Sequence, residues 1–221
     1  DILKFYPSVL DKKIRVIHHG FDKDVFGEKR DDQKEEEIKK SLGIRGEYIL
    51  YSGALQPRKN LECLIGAFDI IKKSKKNDLQ LVLAGEKAWL WEGIIKKVEK
   101  SFYREDIILS GKLGFETIGH VMRGASLYVF PSLYEGFGIP ILEAMAAGVP
   151  VIAADNSSLR EAGGEAAIYF LAQEESELAR KMQEVIYSSI LKREMISKGR
   201  EQAKKFSWEK CAKETLDYLK E

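Results

Sequence analysis

The alternation of apolar and polar positions divides the chain into short β-prone runs at 47–52, 79–84, 107–110, 127–130, 149–153 and 167–170, with segments of helix length between them. This rhythm predicts six strands alternating with helices. Several runs are apolar on both faces, as Leu81-Val82-Leu83-Ala84 shows. Such strands suit a parallel sheet covered on both sides better than an antiparallel sheet with one wet face. The predicted class is therefore α/β: a doubly wound, Rossmann-like parallel sheet of about six strands. The intervening segments read as amphipathic helices, for Leu61, Leu64, Ile65, Phe68 and Ile71 fall on one stripe.

A seventh apolar run, 14–17, precedes the segment 28–40, in which 11 of 13 residues are charged. That density predicts a solvated loop or helix face. Beyond the last strand, Leu178, Met182, Val185 and Ile186 mark one helix, and Ser207 N-caps a final one carrying Trp208, Cys211, Leu216 and Leu219. With no repeat and no linker, residues 1–221 are expected to form one domain.

Composition narrows the functional classes. A chain that is 44% hydrophobic and 32% charged, with 5 prolines, is neither disordered nor collagen-like. Its 36 basic and 35 acidic side chains leave a net charge of +1, so no overall field draws it to nucleic acid or an anionic membrane. An anionic ligand must be held locally. Cys63 and Cys211 stand in no metal or redox spacing and read as ordinary buried thiols of a reducing compartment. Asp1 begins the chain without a methionine, which reads as a piece of something longer, and residues 1–15 hold no signal-like apolar run. The most apolar stretch, 139–154, is too short to span a bilayer and is broken by Pro140, Glu143 and Pro150.

In a doubly wound sheet, ligands bind beyond the carboxyl ends of the strands. Three such places carry chemistry: 53–60, 85–91 and 132–143. In the last, Gly136 and Gly138 allow close backbone approach, and Pro140 suits the first turn of a helix whose amino end would hold a phosphate. A dinucleotide fingerprint would need a third glycine where Ile141 stands. Glu135 and Glu143 are separated by seven residues, a spacing that chance alone yields about five times in a chain this acidic, so only context gives it meaning. Glu135 could accept hydrogen bonds from sugar hydroxyls and Glu143 from a ribose. Their alternatives are a solvated loop acid and a partner of the helix dipole. Arg58-Lys59, between a strand-end glycine and a helix, could meet the charge of a diphosphate. His18, His19 and His120 are scattered and read as structural. No carboxylate cluster at a strand end suggests a metal, and neither Ser52 nor Ser132 has the context of a nucleophile.

Together these residues resemble the C-terminal, donor-binding half of retaining glycosyltransferases of family 4, which have the two-domain GT-B fold. The signature runs through Phe130-Pro131-Ser132, Glu135-Gly136-Phe137-Gly138, Glu143-Ala144-Met145-Ala146-Ala147-Gly148 and Pro150-Val151-Ile152-Ala153. His19-Gly20-Phe21-Asp22, Gly53, Pro57-Arg58-Lys59-Asn60, Gly85 and Gly111 support it. The resemblance implies that Glu143 binds the ribose, Glu135 orients the donor sugar and Lys59 contacts the diphosphate. Backbone amides from Gly136 through Phe137 and Gly138 to Ile139 would assist, and Gly111, Lys112 and Leu113 would border the base. Many relatives carry an arginine where Ala54 stands, and Arg58 would supply that second cation, as in a subgroup similar to mannosyltransferases of surface-polysaccharide assembly. The implied donor is a nucleotide-diphospho-sugar, with GDP-mannose the first choice, and no metal or other cofactor. The implied partners are a glycan or lipid-linked acceptor and an N-terminal domain of the same enzyme. The implied setting is the cytoplasm, with the inner membrane face reached through that domain. This piece alone is expected to bind nucleotide and transfer nothing. The competing reading is a non-catalytic or epimerase-like nucleotide-binding domain of the same fold.

Overall fold

Each of the six predicted runs forms a strand. In the computed structural model, which describes residues 2–27, 31–74, 78–156 and 158–220, they are β1 (Tyr48–Ser52), β2 (Gln80–Ala84), β3 (Ile107–Gly111), β4 (Leu127–Phe130), β5 (Val151–Ala154) and β6 (Ile168–Phe170). They pair in parallel in one sheet, in the order β3-β2-β1-β4-β5-β6. Every residue of β1, β2, β4 and β5 is buried, as strands covered on both faces require. In edge strand β3 only Ile107 is buried, and the residues after it are half-buried or exposed. The run at 149–153 starts late because the Val149 N–H is used by the preceding helix, donating to the Ala144 carbonyl at 2.9 Å. Run 14–17 pairs with nothing in the sheet and has no regular structure.

From β1 the chain steps outward to β3, then returns to the other side of β1 for β4 and steps outward again to β6. Right-handed crossovers therefore place the helices of the two halves on opposite faces. Leu61–Ser74, Glu92–Lys100 and Glu175–Ile186 form one layer, while Phe115–Arg123, Ile139–Ala146 and Leu159–Gly163 belong to the other. The reversal of strand order at β1 and β4 opens a crevice at their carboxyl ends.

Three expectations need correction. The charged run is not wholly solvated: 28–30 lie outside the described residues, but Asp32–Leu42 is a helix that buries Glu35 at 3% exposure. There the Arg123 Nε donates to the Glu35 carboxylate at 3.0 Å and its Nη1 to the Val25 carbonyl at 2.6 Å. Replacing Glu35 with glutamine keeps an acceptor but leaves the guanidinium charge unmatched in a buried place. The expected loss is about 1–3 kcal/mol in a urea unfolding curve. Second, a fifteen-residue helix, Ser189–Ala203, stands between the two helices foreseen near the carboxyl end. Third, Ser207 does cap the last helix, accepting from the Lys210 N–H at 3.1 Å, but Trp208–Leu219 buries none of its residues. Cys211 is accordingly only partly buried, whereas Cys63 is buried.

Candidate functional site

Beyond β1 the chain passes through Gly53 into a short helical turn, Pro57–Lys59. Asn60 follows with a left-handed backbone, φ 56°, and its side-chain amide donates to the carbonyls of Pro131 and Ala172. The turn is thus fastened across the end of β4. It is further held by the Leu133 N–H donating to the Arg58 carbonyl at 2.8 Å and by the Arg58 guanidinium donating to the Tyr134 carbonyl.

This fastening brings the adjacent predicted residues Arg58 and Lys59 onto a third, Glu135, which lies 76 positions beyond Lys59 in sequence. Lys59 Nζ stands 2.5 Å from Glu135 Oε1, and an Arg58 nitrogen stands 2.9 Å from Oε2. Burial would push the Glu135 carboxyl up, but Lys59 and Arg58 outweigh it and hold the group below the usual carboxylate range. Lys59 also lies 5.3 Å from the centroid of the Phe130 ring. Phe130 stacks with Tyr128 and Tyr51 at ring separations of 6.1 and 6.4 Å, forming an aromatic floor on β1 and β4. The Ser52 and Tyr128 hydroxyls hydrogen-bond within it at 3.0 Å.

Gly136 leaves open space around its Cα, and Gly138, at φ 108°, turns the chain into the helix Ile139–Ala146. A Cβ on Gly138 would come within 3.0 Å of Leu159. The loop is therefore folded back against the helix Leu159–Gly163, and Ser158 Oγ donates to the Glu135 carbonyl at 3.0 Å. Phe137 packs on the core, and Ile139 and Pro140 open the helix, whose positive end faces the loop. Glu143 is fifth in that helix, past its first turn. Burial, reinforced by the Asp22 carboxylate, pushes its carboxyl from the ordinary 4.5 to about 7. Both Glu135 and Glu143 oppose ionisation of the Tyr128 phenol, which burial already disfavours, so both carboxylates border the same floor.

A cleft of about 220 Å³ adjoins the turn, lined by Gly53, Ala54, Gly85 and Glu86 on one side and by Lys112, Leu113 and Ile118 on the other. Its floor is tight. The Gly53 N–H donates to the Ala84 carbonyl and the Gly85 N–H to the Gly111 carbonyl, both at 2.9 Å. Lys112 points its ammonium toward Glu86 at 3.7 Å and is largely exposed. The predicted residues thus fall into two adjoining groups: an anion-competent corner of Arg58, Lys59, Glu135 and the 136–139 loop, and an apolar-walled cleft bordered by Gly53, Lys112 and Leu113. Asn60, Ser132 and the Phe130 ring, which enter the sequence reading as motif positions, and Ser158 and the Tyr51 and Tyr128 rings, which do not enter it as site residues, complete the surroundings. Only knowledge that β1 and β4 are neighbours would have grouped those rings. Among the described residues, no three His, Cys, Asp or Glu side chains converge as a metal site would require, and no helix is long and apolar enough to cross a membrane.

Residues 33–202 match the family model described as glycosyl transferases group 1. The chain is 31% identical over 173 residues to the O-antigen chain mannosyltransferase B of Escherichia coli, covering 78% of this chain and 45% of that protein. It therefore spans less than half the length of that relative. Among solved structures, Anabaena HepE in complex with UDP and glucose superimposes with a TM-score of 0.82 at 20% identity, over 93% of this chain and 56% of its own. The isolated C-terminal domain of a group 1 glycosyl transferase, LpcC of Francisella tularensis, superimposes with a TM-score of 0.71 at 25% identity, over 84% of this chain and 97% of its own.

Proposed function

The chain belongs to the group 1 glycosyl transferases, and from that premise we propose that it binds a nucleotide-diphospho-sugar donor, GDP-mannose by preference. With an N-terminal acceptor domain it transfers the sugar to a glycan or lipid-linked acceptor with retention of configuration. The observation that carries the reading is the convergence of Lys59 and Arg58 on Glu135 beside the glycine loop and the helix Ile139–Ala146. Two cations and a helix amino end suit a diphosphate. A carboxylate in the same cluster suits the hydroxyls of the sugar attached to it. The mannose preference is supported by the mannosyltransferase relative.

In this reading the diphosphate lies between Lys59, Arg58 and the loop amides, the base enters the cleft beside Lys112 and Leu113, and Glu143 receives the ribose hydroxyls. As the sugar–phosphate bond breaks, charge develops on the leaving diphosphate, and the cations and helix end stabilise it there. The enzyme's lever is electrostatic and requires no nucleophile from this chain. Titrating the chain calorimetrically with GDP, UDP and ADP tests the reading. GDP is expected to bind most tightly, with the affinity unchanged by EDTA. Failure of all three nucleotides to bind would overturn it, and a preference for UDP would overturn the choice of GDP.

Glu143 makes the binding pH-dependent. Its ionised form accepts hydrogen bonds from a ribose, and in the unliganded chain that form is reached only as pH rises through about 7. GDP affinity is therefore expected to increase between pH 6 and 8, with protons released on binding. For the unliganded fold the sign is opposite. Because the folded group holds its proton more tightly than an unfolded one, its contribution to stability is complete below about 4.5 and is lost as pH rises through about 7. Glu143→Ala should abolish both trends and weaken GDP and GDP-mannose alike, by about 1–3 kcal/mol.

A further inference from the structure

We propose that His18 is a positioning residue for the donor loop, its imidazole serving as the wall against which Phe137 fixes the diphosphate-facing backbone between Gly136 and Gly138. The proposal rests on the nucleotide-sugar reading above. Phe137 is the only side chain between two glycines, so the conformation of this short stretch depends on what its ring rests against. It rests on His18: the two rings are stacked, 5.1 Å between centroids and 25° between planes. Phe206 lies edge-on to His18 at 5.7 Å and 5.6 Å from Phe137, and His19 meets Phe137 edge-on at 6.2 Å, so His18 supplies the stacked face on Phe137, which the other rings meet edge-on or tilted.

The imidazole is itself held. Its Nε2 lies 3.0 Å from the Glu161 carboxylate, and Glu161 belongs to Leu159–Gly163, the helix against which Gly138 is folded. Ser158, capping that helix, holds the Glu135 carbonyl. One short helix therefore grips the loop directly at Glu135 and, through His18, at Phe137. His18 comes from a segment without helix or strand, well before β1. A purely local loop would not recruit a residue 119 positions away for its support. The side chains of His18 and Glu161 are 40% and 52% exposed, so the pair is not there to fill the core.

Three substitutions separate the ring from the hydrogen bond. His18→Phe keeps a ring on Phe137 without the Glu161 partner, His18→Gln keeps a donor for Glu161 without a ring, and His18→Ala keeps neither. GDP and GMP are titrated into each, with thermal melting to confirm the fold. Because the loop holds the second phosphate, His18→Ala is expected to weaken GDP at least tenfold and GMP less than twofold. His18→Phe should return to within about threefold of the parent for GDP, and His18→Gln should stay near the alanine variant. If alanine fails to fold, the phenylalanine and glutamine variants still decide the matter. GDP binding unchanged in the glutamine variant, or equal proportional losses of GDP and GMP, would overturn the proposal. A parent chain that binds neither nucleotide would overturn the nucleotide reading itself, and the proposal with it.

Discussion

Gly85→Ala is expected to cost more than about 4 kcal/mol and to destroy the cleft, because no relaxation is open to it. A Cβ there would lie 1.8 Å from the Gly53 carbonyl oxygen and 2.7 Å from its carbon. Both are backbone atoms of Gly53, and the strand ends that carry Gly53 and Gly85 are both pinned. Gly53 is bonded to Ala84, Gly85 to Gly111, and Leu55 to Glu86, so moving one strand end apart from the other breaks bonds on both sides. The three strand ends meet here without room for a methyl group. Gly136→Ala is the control, since nothing lies within 4 Å of its added Cβ. Urea unfolding of the two variants should show a large shift in midpoint for Gly85→Ala and a shift within about 1 kcal/mol for Gly136→Ala. Similar midpoints would mean that the strand ends can part to admit a methyl group at little cost.

Lys59→Ala is expected to weaken GDP by about 2 kcal/mol, roughly thirtyfold, because it removes a charge-assisted contact from a half-buried corner. The more informative variant is its partner. In the unliganded chain, Glu135 occupies the very cations that a diphosphate needs. A diphosphate must draw Lys59 and Arg58 off the carboxylate, and the carboxylate, once released, is free to take sugar hydroxyls. Glu135→Gln should therefore leave GDP affinity unchanged or improve it, up to about tenfold, while abolishing any advantage of GDP-mannose over GDP. In the double variant the two effects on GDP should not add, since each single change disturbs the same pair. Isothermal titration of the four proteins with GDP and GDP-mannose completes the cycle. Weaker GDP binding by Glu135→Gln would mean that the carboxylate holds the cations in position for the diphosphate instead of competing with it.

The strands were legible because parallel strands buried on both faces leave continuous apolar runs, and the donor loop because glycines and a proline before a helix leave a local mark. What escaped notice had non-local or disguised causes. The helix Ser189–Ala203 packs a glycine, Gly199, against Met145 and buries Gln202, whose amide donates to the Ala162 carbonyl at 3.0 Å. Its buried face is Met195, Gly199, Gln202 and Ala203, and with glycine and glutamine supplying half of it there is little apolar stripe to read. Glu35 looked like one more solvated charge because its partner, Arg123, is 88 positions away. Arg58 and Lys59 could be placed near a strand end, but their engagement with Glu135 follows from the adjacency of β1 and β4, which the order of runs along the chain does not state. In the last helix Cys211, read as a buried thiol, is only partly buried, and Trp208 and Leu216 are about half exposed.

The Asn60 amide ties the cation-bearing turn to Pro131 and to Ala172, partners 71 and 112 positions further along the chain. During synthesis, β1 and its turn can emerge from the ribosome long before either carbonyl exists. At roughly 5–20 residues per second, the interval between Asn60 and Ala172 is on the order of ten seconds. Glu135 is made about two-thirds of the way through that interval, so Arg58 and Lys59 lack their carboxylate for most of it and the Ala172 tether for all of it, although a chain that reaches residue 171 already contains the residues of all six strands. The fixed direction of the cation-bearing turn is thus acquired late, from carbonyls that follow β4 and β6 and that no early part of the emerging chain possesses.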